Sequence, residues 1–137
     1  MNVSTWSSML TQPVSASRDH VIGTLGAPVT IVEYGDYQCP YCALAHQVVG
    51  ALRAQMSKEL CFAFRHFPLT TIHHRAQAAA ESAETAGAQR AFWEMHDMLY
   101  RHQQQLEDVH LISYAHAIKL DLARFRFELD SHAHLPK

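Results

Sequence analysis

The sequence predicts a single α/β domain, and three observations carry that prediction. The chain has 137 residues and a mass of 15.5 kDa, enough for one hydrophobic core but not for two. Two strand-like segments flank a segment whose apolar residues recur at helical spacing. The chain after Pro68 contains only Gly87 of the five glycines and only Pro136 of the five prolines, which favours helices throughout that part.

The first half of the chain predicts a β-α-β unit over residues 28–68. Val29–Tyr34 is β-branched and mostly apolar, and turn residues bound it on both sides, so we expect a strand buried on both faces of a parallel sheet. A helix is predicted over 42–58, with Pro40 at a favourable first-turn position. Residues 60–67 alternate as a second strand that a proline ends. A right-handed crossover should join these two parallel strands.

The remainder of the chain predicts a helical segment over residues 69–131. Its expected helices are Arg75–Ala86, Ala91–Gln103, Val109–Ile118 and Leu122–Leu129, the last capped by Asp121. Residues 1–19 are rich in Ser and other polar residues, so we expect a flexible N-terminal arm before a domain comprising residues 20–137.

The composition excludes several classes of function. Eleven Lys and Arg against 13 Asp and Glu give a formal charge of −2, which provides no basic surface for nucleic acid or an anionic membrane. No apolar run approaches the ~18 residues that span a bilayer. Residues 1–17 lack the basic and apolar regions of a signal peptide. Three cysteines in such a chain predict reduced thiols and a cytoplasmic location.

The main chemical signal is Cys39-Pro40-Tyr41-Cys42, placed after a predicted strand and at the first turn of a predicted helix. A free thiol is only roughly 3% ionised at pH 7, and the amides of a helix N-terminus increase the thiolate fraction. We therefore expect Cys39 to be the nucleophile and Cys42, one turn deeper, to stay protonated until it resolves a mixed disulfide. Pro40 and Tyr41 would tune the pair.

Two alternatives to a redox pair are zinc binding and simple packing. Structural zinc needs four ligands, and Cys61, which we expect in the core, is the only other cysteine. The 11 histidines, among them His73-His74 and His132–His134, are scattered, so we expect surface histidines, no metal and no cofactor. Packing alone would not place two cysteines around a proline at a strand-to-helix junction.

Glu33 is the candidate proton carrier. It lies six residues before Cys39 among Val and Tyr residues, where burial would raise the pKa of the carboxyl group. It could then accept the proton of Cys42 and return it. The alternative is a partly exposed charge at the strand end. His46 and His66 could also perturb the thiols.

Four segments of the sequence are characteristic in combination: Gly26–Thr30, Glu33–Cys42, Phe64–Leu69 and Ala91–Asp97. Together they resemble DsbA-like proteins of the thioredoxin superfamily. The similarity extends from about Asp19 to His134 and is greatest to cytoplasmic members, including the domain appended to some NhaA-type sodium/proton antiporters. The resemblance implies thiol-disulfide exchange, with Cys39 attacking, Cys42 resolving and Glu33 as the buried acid. It also implies that residues 69–131 are the helical insertion of that family.

One part of the family pattern is absent from the sequence. The family continues with a Gly-Thr-Pro turn whose cis proline faces the cysteines, then two strands and a last helix. We therefore expect an incomplete sheet of two parallel strands, in which the edge of Val29–Tyr34 is unpaired. Three explanations stay open: the chain is part of a longer protein, a second copy pairs there as a homodimer, or a helix or the N-terminal arm covers the edge.

The sequence thus predicts a cytoplasmic thiol-disulfide oxidoreductase of thioredoxin-like α/β fold. Its partners would be protein or small-molecule disulfides and dithiols, with no nucleic acid and no membrane span. Two rivals stay open: a non-catalytic binding module or redox sensor, and a metal-binding protein using Cys39, Cys42 and histidines.

Overall fold

The computed structural model describes residues 10–136, which form three strands and five helices. The strands are β1 (His20–Gly23), β2 (Val29–Gly35) and β3 (Leu60–His66), arranged in the order β1-β3-β2. β3 is parallel to β2 and antiparallel to β1. The predicted α/β class is therefore confirmed, and β2, the following helix and β3 form a β-α-β unit.

The prediction of only two strands is wrong, because β1 adds a third strand to the sheet. β1 has four residues, too few to show a strand period in the sequence, and it is held by pairing with β3. Its last residue, Gly23, has a φ of 94°, and a Cβ there would lie 2.4 Å from the carbonyl oxygen of Leu60. Glycine thus permits the close approach of β1 to β3. The first nine residues of the predicted arm lie outside the described residues.

Residues 10–19 contact the far end of β3 through Arg65. The guanidinium donates to Asp19 Oδ1 at 2.8 Å and to the carbonyl oxygen of Gln12 at 2.9 Å. Hydrogen bonding to Arg65 holds the pKa of Asp19 well below its usual range, although burial opposes the shift. The pair is almost wholly buried, so loss of Asp19 would remove the carboxylate that compensates the buried guanidinium.

β2 is much less buried than the sequence predicts. All seven residues of β3 are buried, whereas Val29, Thr30 and Tyr34 of β2 are exposed. The exposure of these three residues shows that the expectation of burial on both faces is wrong. Within residues 10–136, β2 pairs with β3 only, so its other edge is unpaired, as the sequence predicts. An apolar composition does not reveal whether a second neighbouring strand is present.

The five helices lie within a few residues of the predicted positions. They are α1 (Pro40–Gln55), α2 (Ala76–Ala88), α3 (Phe92–Arg101), α4 (Asp108–Ala117) and α5 (Leu122–Asp130). Asp121 caps α5 as predicted, since its Oδ1 accepts from the Arg124 backbone N–H at 3.0 Å. Among the described residues, none of the helices combines the length and apolar character needed to cross a bilayer.

The core lies between β3 and the helices that follow it. Phe62 and Phe64 of β3 contact the rings of Trp93 and Phe92 on α3. The small side chains of α2 are buried beside them and let α2 approach closely. Burial alone raises the pKa of Glu84 on α2, but hydrogen bonds from two histidines outweigh it and bring the pKa to about 2.

Candidate active site

The first cysteine of the pair is the N-cap residue of α1. Cys39 has extended backbone angles, φ −78° and ψ 123°, and its carbonyl oxygen accepts from the Ala43 N–H at 3.2 Å. Pro40 follows at the first helical position, where its missing N–H costs nothing. The Cys39 thiol therefore lies at the positive end of the α1 dipole, which favours negative charge.

The second cysteine lies inside the first turn of α1. Cys39 and Cys42 are both half-buried free thiols, near each other but not bonded. Burial is the main cause that raises the pKa of Cys42 to about 11, and the neighbouring Cys39 and the charge of Glu33 act in the same direction. Cys42 is therefore protonated at neutral pH and needs a base before it can attack.

Glu33 lies in β2, close enough for its charge to act on Cys42. Burial raises the pKa of Glu33, and a hydrogen bond donated by the Tyr100 hydroxyl to Oε1 at 3.4 Å partly opposes the shift. The other carboxylate oxygen, Oε2, is buried without a hydrogen-bond partner. An unpartnered buried oxygen with a raised pKa is a suitable proton acceptor.

A glycine beside Glu33 brings α3 close to the acid. A Cβ at Gly35 would lie 2.3 Å from Cε2 of Phe64 and 2.7 Å from the hydroxyl of Tyr100. Only a residue without a side chain therefore lets Tyr100 approach β2. The sequence analysis missed Tyr100, which is 67 residues from Glu33, although Gly35 was a visible sign of close approach.

The loop between β2 and α1 is fixed by Asp36, another residue that the sequence analysis did not assign. Its Oδ1 accepts from the Gln38 backbone N–H at 2.7 Å, which makes a local turn. Its Oδ2 accepts from the Leu69 N–H and from Nδ1 of His73, each at 2.8 Å. Asp36 thus ties the loop before the thiols to the chain that follows β3.

A glutamine just beyond α3 holds the same loop from the other side. The side-chain amide of Gln103 donates to the carbonyl oxygens of Tyr37 and Cys39, each at 2.8 Å. Gln103 therefore fixes the backbone of Cys39 from 64 positions away in the sequence. Nothing local in the sequence around Gln103 indicates this contact.

The four remaining residues that the sequence analysis singled out do not all lie near the thiols. Pro40 and Tyr41 border the thiols on the solvent side, and Tyr41 is 80% exposed, so both are accessible to a substrate. His46 stacks on Tyr100 with 4.9 Å between ring centroids, and burial lowers the pKa of His46. His66 bonds to Glu84 instead of approaching the thiols.

The expectation of surface histidines is wrong for two of them. His66 and His96 are buried, and Nδ1 of His96 is 2.9 Å from the Tyr37 hydroxyl. Both lie at positions packed against the aromatic core, which single-sequence spacing does not reveal. Cys61 is completely buried in β3, as predicted.

Known proteins share sequence similarity with this chain. The family described as Thioredoxin matches residues 15–133. The chain is 51% identical over 117 residues to a protein named Na(+)/H(+) antiporter NhaA 1 from Salinispora arenicola, covering 85% of this chain and 18% of the antiporter. It is 40% identical over 126 residues to the Na(+)/H(+) antiporter NhaA of Herminiimonas arsenicoxydans, covering 91% of this chain and 20% of that protein. The chain thus spans about a fifth of the length of these curated relatives.

Solved structures share the fold at lower identity. BdbD from Bacillus subtilis, in its oxidised form, superposes with a TM-score of 0.73 and 23% identity, over 87% of this chain and 69% of BdbD. A thioredoxin-like oxidoreductase from Silicibacter pomeroyi gives 0.72 and 24%, over 82% of this chain and 63% of that chain. These similarities confirm the fold and the resemblance that the sequence motifs indicated.

Proposed function

The chain belongs to the thioredoxin family, and from that membership we propose that it is a thiol-disulfide oxidoreductase that uses Cys39 and Cys42. The observation that carries the proposal is the asymmetry of the pair. Cys39 is the N-cap residue of α1, at the positive end of the helix dipole, whereas burial raises the pKa of Cys42 to about 11. One thiol is thus suited to attack and the other to wait.

The proposed reaction has two steps. The Cys39 thiolate attacks one sulfur of a substrate disulfide, forms a mixed disulfide and releases the other sulfur as a thiolate. Cys42 then transfers its proton to Glu33 and attacks the Cys39 sulfur, which releases the second substrate thiolate. The substrate gains two electrons, and the Cys39–Cys42 pair loses them as it forms a disulfide.

Glu33 supports the second step in this proposal. Its raised pKa makes it a stronger base than an exposed carboxylate, and its Oε2 has no competing hydrogen-bond donor. Run in reverse, the same groups would pass a disulfide to a dithiol substrate. Pro40 and Tyr41 would form the outer wall against which either substrate lies.

The direction and place of the reaction belong to the same proposal. We assign the protein to the cytoplasm, as expected from the three cysteines, and the glutathione poise there favours reduction of the substrate. Solved structures named as a thioredoxin-like oxidoreductase and as the thiol-disulfide exchange protein alpha-DsbA2 from Wolbachia pipientis fit this chemistry.

The test is to trap the mixed disulfide. With a protein disulfide such as insulin as substrate, Cys39→Ser should abolish reduction, whereas Cys42→Ser should accumulate a covalent adduct visible by mass spectrometry. Cys61→Ser is the matched control, because Cys61 is buried away from solvent and its loss should change neither result. Adduct formation by Cys39→Ser but not by Cys42→Ser would reverse the assignment of the two thiols.

The second candidate function is a non-catalytic binding module or redox sensor. In the described part of the chain β2 is paired on one side only, and Leu44 and Val48 of α1 are 59% and 58% exposed. Such a surface suits a partner or a second copy of the chain. This candidate is favoured if the wild type is as inert toward insulin as Cys39→Ser. A mass that rises with protein concentration in sedimentation equilibrium would indicate the homodimer.

A further inference from the structure

Three side chains from three elements converge away from the thiol pair. His20 of β1, His66 of β3 and Glu84 of α2 offer one ligand atom each, and these atoms all lie within 4.8 Å of one another. The Nε2 atoms of His20 and His66 lie 2.6 Å and 2.9 Å from the same oxygen, Glu84 Oε1. None of the three takes part in the proposed redox reaction.

The two imidazole rings are held in place by packing. His20 stacks on Phe92 with ring centroids 3.4 Å apart and an interplanar angle of 4°. The side chain of His66 is 1% exposed and lies edge-on to Phe64 at 5.3 Å. The cluster therefore does not need to be assembled when a ligand arrives, and little side-chain entropy would be lost.

The residue types and their atoms match a transition-metal site. We propose that His20, His66 and Glu84 bind one Zn²⁺ ion through the two Nε2 atoms and a carboxylate oxygen of Glu84. Two histidines and one glutamate form a known class of three-ligand zinc site, with Zn–N distances of about 2.0–2.1 Å and Zn–O distances of about 2.0–2.2 Å. Each Nε2 atom would have to move away from the Glu84 oxygen by only several tenths of an ångström.

The surroundings leave the cluster open on one side. An open cleft is lined by His20 and Glu84, so a water molecule could supply a fourth ligand. Nδ1 of His66 is buried without a hydrogen-bond partner, whereas Nε2 bonds to Glu84. When a metal ion replaces the bond between Nε2 and Glu84, the ring can carry its proton on Nδ1 and present a lone pair at Nε2, as metal binding requires.

The experiment must separate this cluster from the cysteine pair, because thiolates are also zinc ligands. We would therefore titrate Zn²⁺ into the Cys39→Ser/Cys42→Ser protein and measure heat, with Co²⁺ absorption as a second probe. The expected result is one ion per chain and a Co²⁺ spectrum without a thiolate charge-transfer band. His20→Ala should weaken Zn²⁺ binding by at least about tenfold, since even loss of an outer-sphere partner costs about 10–100-fold.

Two further variants keep the test decisive. Glu84→Gln retains the shape and hydrogen-bonding capacity of the side chain, so it should weaken Zn²⁺ binding while leaving a folded protein by circular dichroism. His132→Ala is the matched control, because His132 pairs with Glu81, outside the cluster, and its loss should leave the affinity unchanged. The proposal is overturned if the double-serine protein binds no Zn²⁺, or if His20→Ala and Glu84→Gln bind it as tightly as their parent. These results would leave the thiol-disulfide proposal intact, since the double-serine background contains neither redox cysteine.

Discussion

Helix α1, which begins at the thiols, and helix α2, which contacts the other three helices of the helical segment, differ strongly in burial. Nine of the thirteen residues of α2 are buried, whereas in the sixteen residues of α1 only Val49 is buried. Burial in α2 and β3 therefore contributes most to the stability of the fold, whereas the reactive thiols lie at the end of a helix with little buried surface. Elements with few buried contacts are the ones free to engage a substrate.

The difference follows from what covers each helix. α2 contacts α3, α4 and α5, and its small side chains are enclosed on most sides. α1 contacts α3 and leaves Leu44 and Val48 to solvent. At the N-terminus of α1, hydrogen bonds from Gln103 hold the preceding loop, and Cys42 and Ala43 pack against the core.

Truncation of one leucine on each side gives the largest expected contrast. Leu99 of α3 is fully buried in the core that α2 helps to form, so Leu99→Ala should lower the free energy of unfolding by about 2–5 kcal/mol. Leu44→Ala makes the same chemical change on α1, where the side chain is 59% exposed, and should cost less than about 0.5 kcal/mol. Urea denaturation measures both. A cost above about 1 kcal/mol for Leu44→Ala would mean that α1 is covered in solution.

Removal of the Gln103 amide should have an intermediate effect. Gln103→Ala loses two hydrogen bonds to the loop that carries Cys39, which should cost about 1–3 kcal/mol in unfolding free energy. It should also slow insulin reduction, because the Cys39 backbone is no longer fixed. Gln105→Ala is a nearby control whose side chain has no contact with that loop among the hydrogen bonds of the described residues. Equal rates for the two variants would show that Gln103 does not position the thiols.

Replacement of Glu33 should have the smallest effect on stability, and of opposite sign. Because burial raises the pKa of Glu33 in the folded state, the folded protein binds more protons, and its stability falls as the pH rises from the unfolded pKa to the folded one. Glu33→Gln removes this penalty. The stability of the variant relative to the wild type should therefore rise with pH, and the difference should be constant below about pH 4.

The same variant checks the chemistry. Glu33→Gln should slow the resolution of the mixed disulfide at neutral pH, since Cys42, with a pKa of about 11, loses its proton acceptor. Stopped-flow measurement of adduct decay gives this rate directly. A pH-independent stability difference together with an unchanged resolution rate would remove Glu33 from the mechanism.

The helices and two of the strands could be predicted because their periodicity is local. The apolar spacing of α1 and the proline after β3 placed both elements to within a few residues. β1 was missed, because four residues carry no period and pairing with β3 decides their conformation. The burial of β2 was overestimated for a related reason, since it depends on a neighbour that the sequence of β2 does not specify.

The candidate site could also be predicted only in part from the sequence. Cys39, Cys42 and Glu33 lie within ten positions of one another, so a motif and a strand could locate them. Gln103 acts across 64 positions, and so does the contact between His20 and Glu84. Such partners are joined only by the tertiary fold, and no local pattern distinguishes them from surface residues.

The bare backbone at Gly35 has a mechanical consequence for the whole molecule. Because there is no room for a side chain between this residue and the Tyr100 hydroxyl, β2 and α3 lie close together beside Glu33, and a tilt of α3 would change the hydrogen bond from Tyr100 to Glu33. The position of α3 is therefore coupled to the environment of the acid. A partner that shifted α3 would change the proton affinity of Glu33 without touching a sulfur atom.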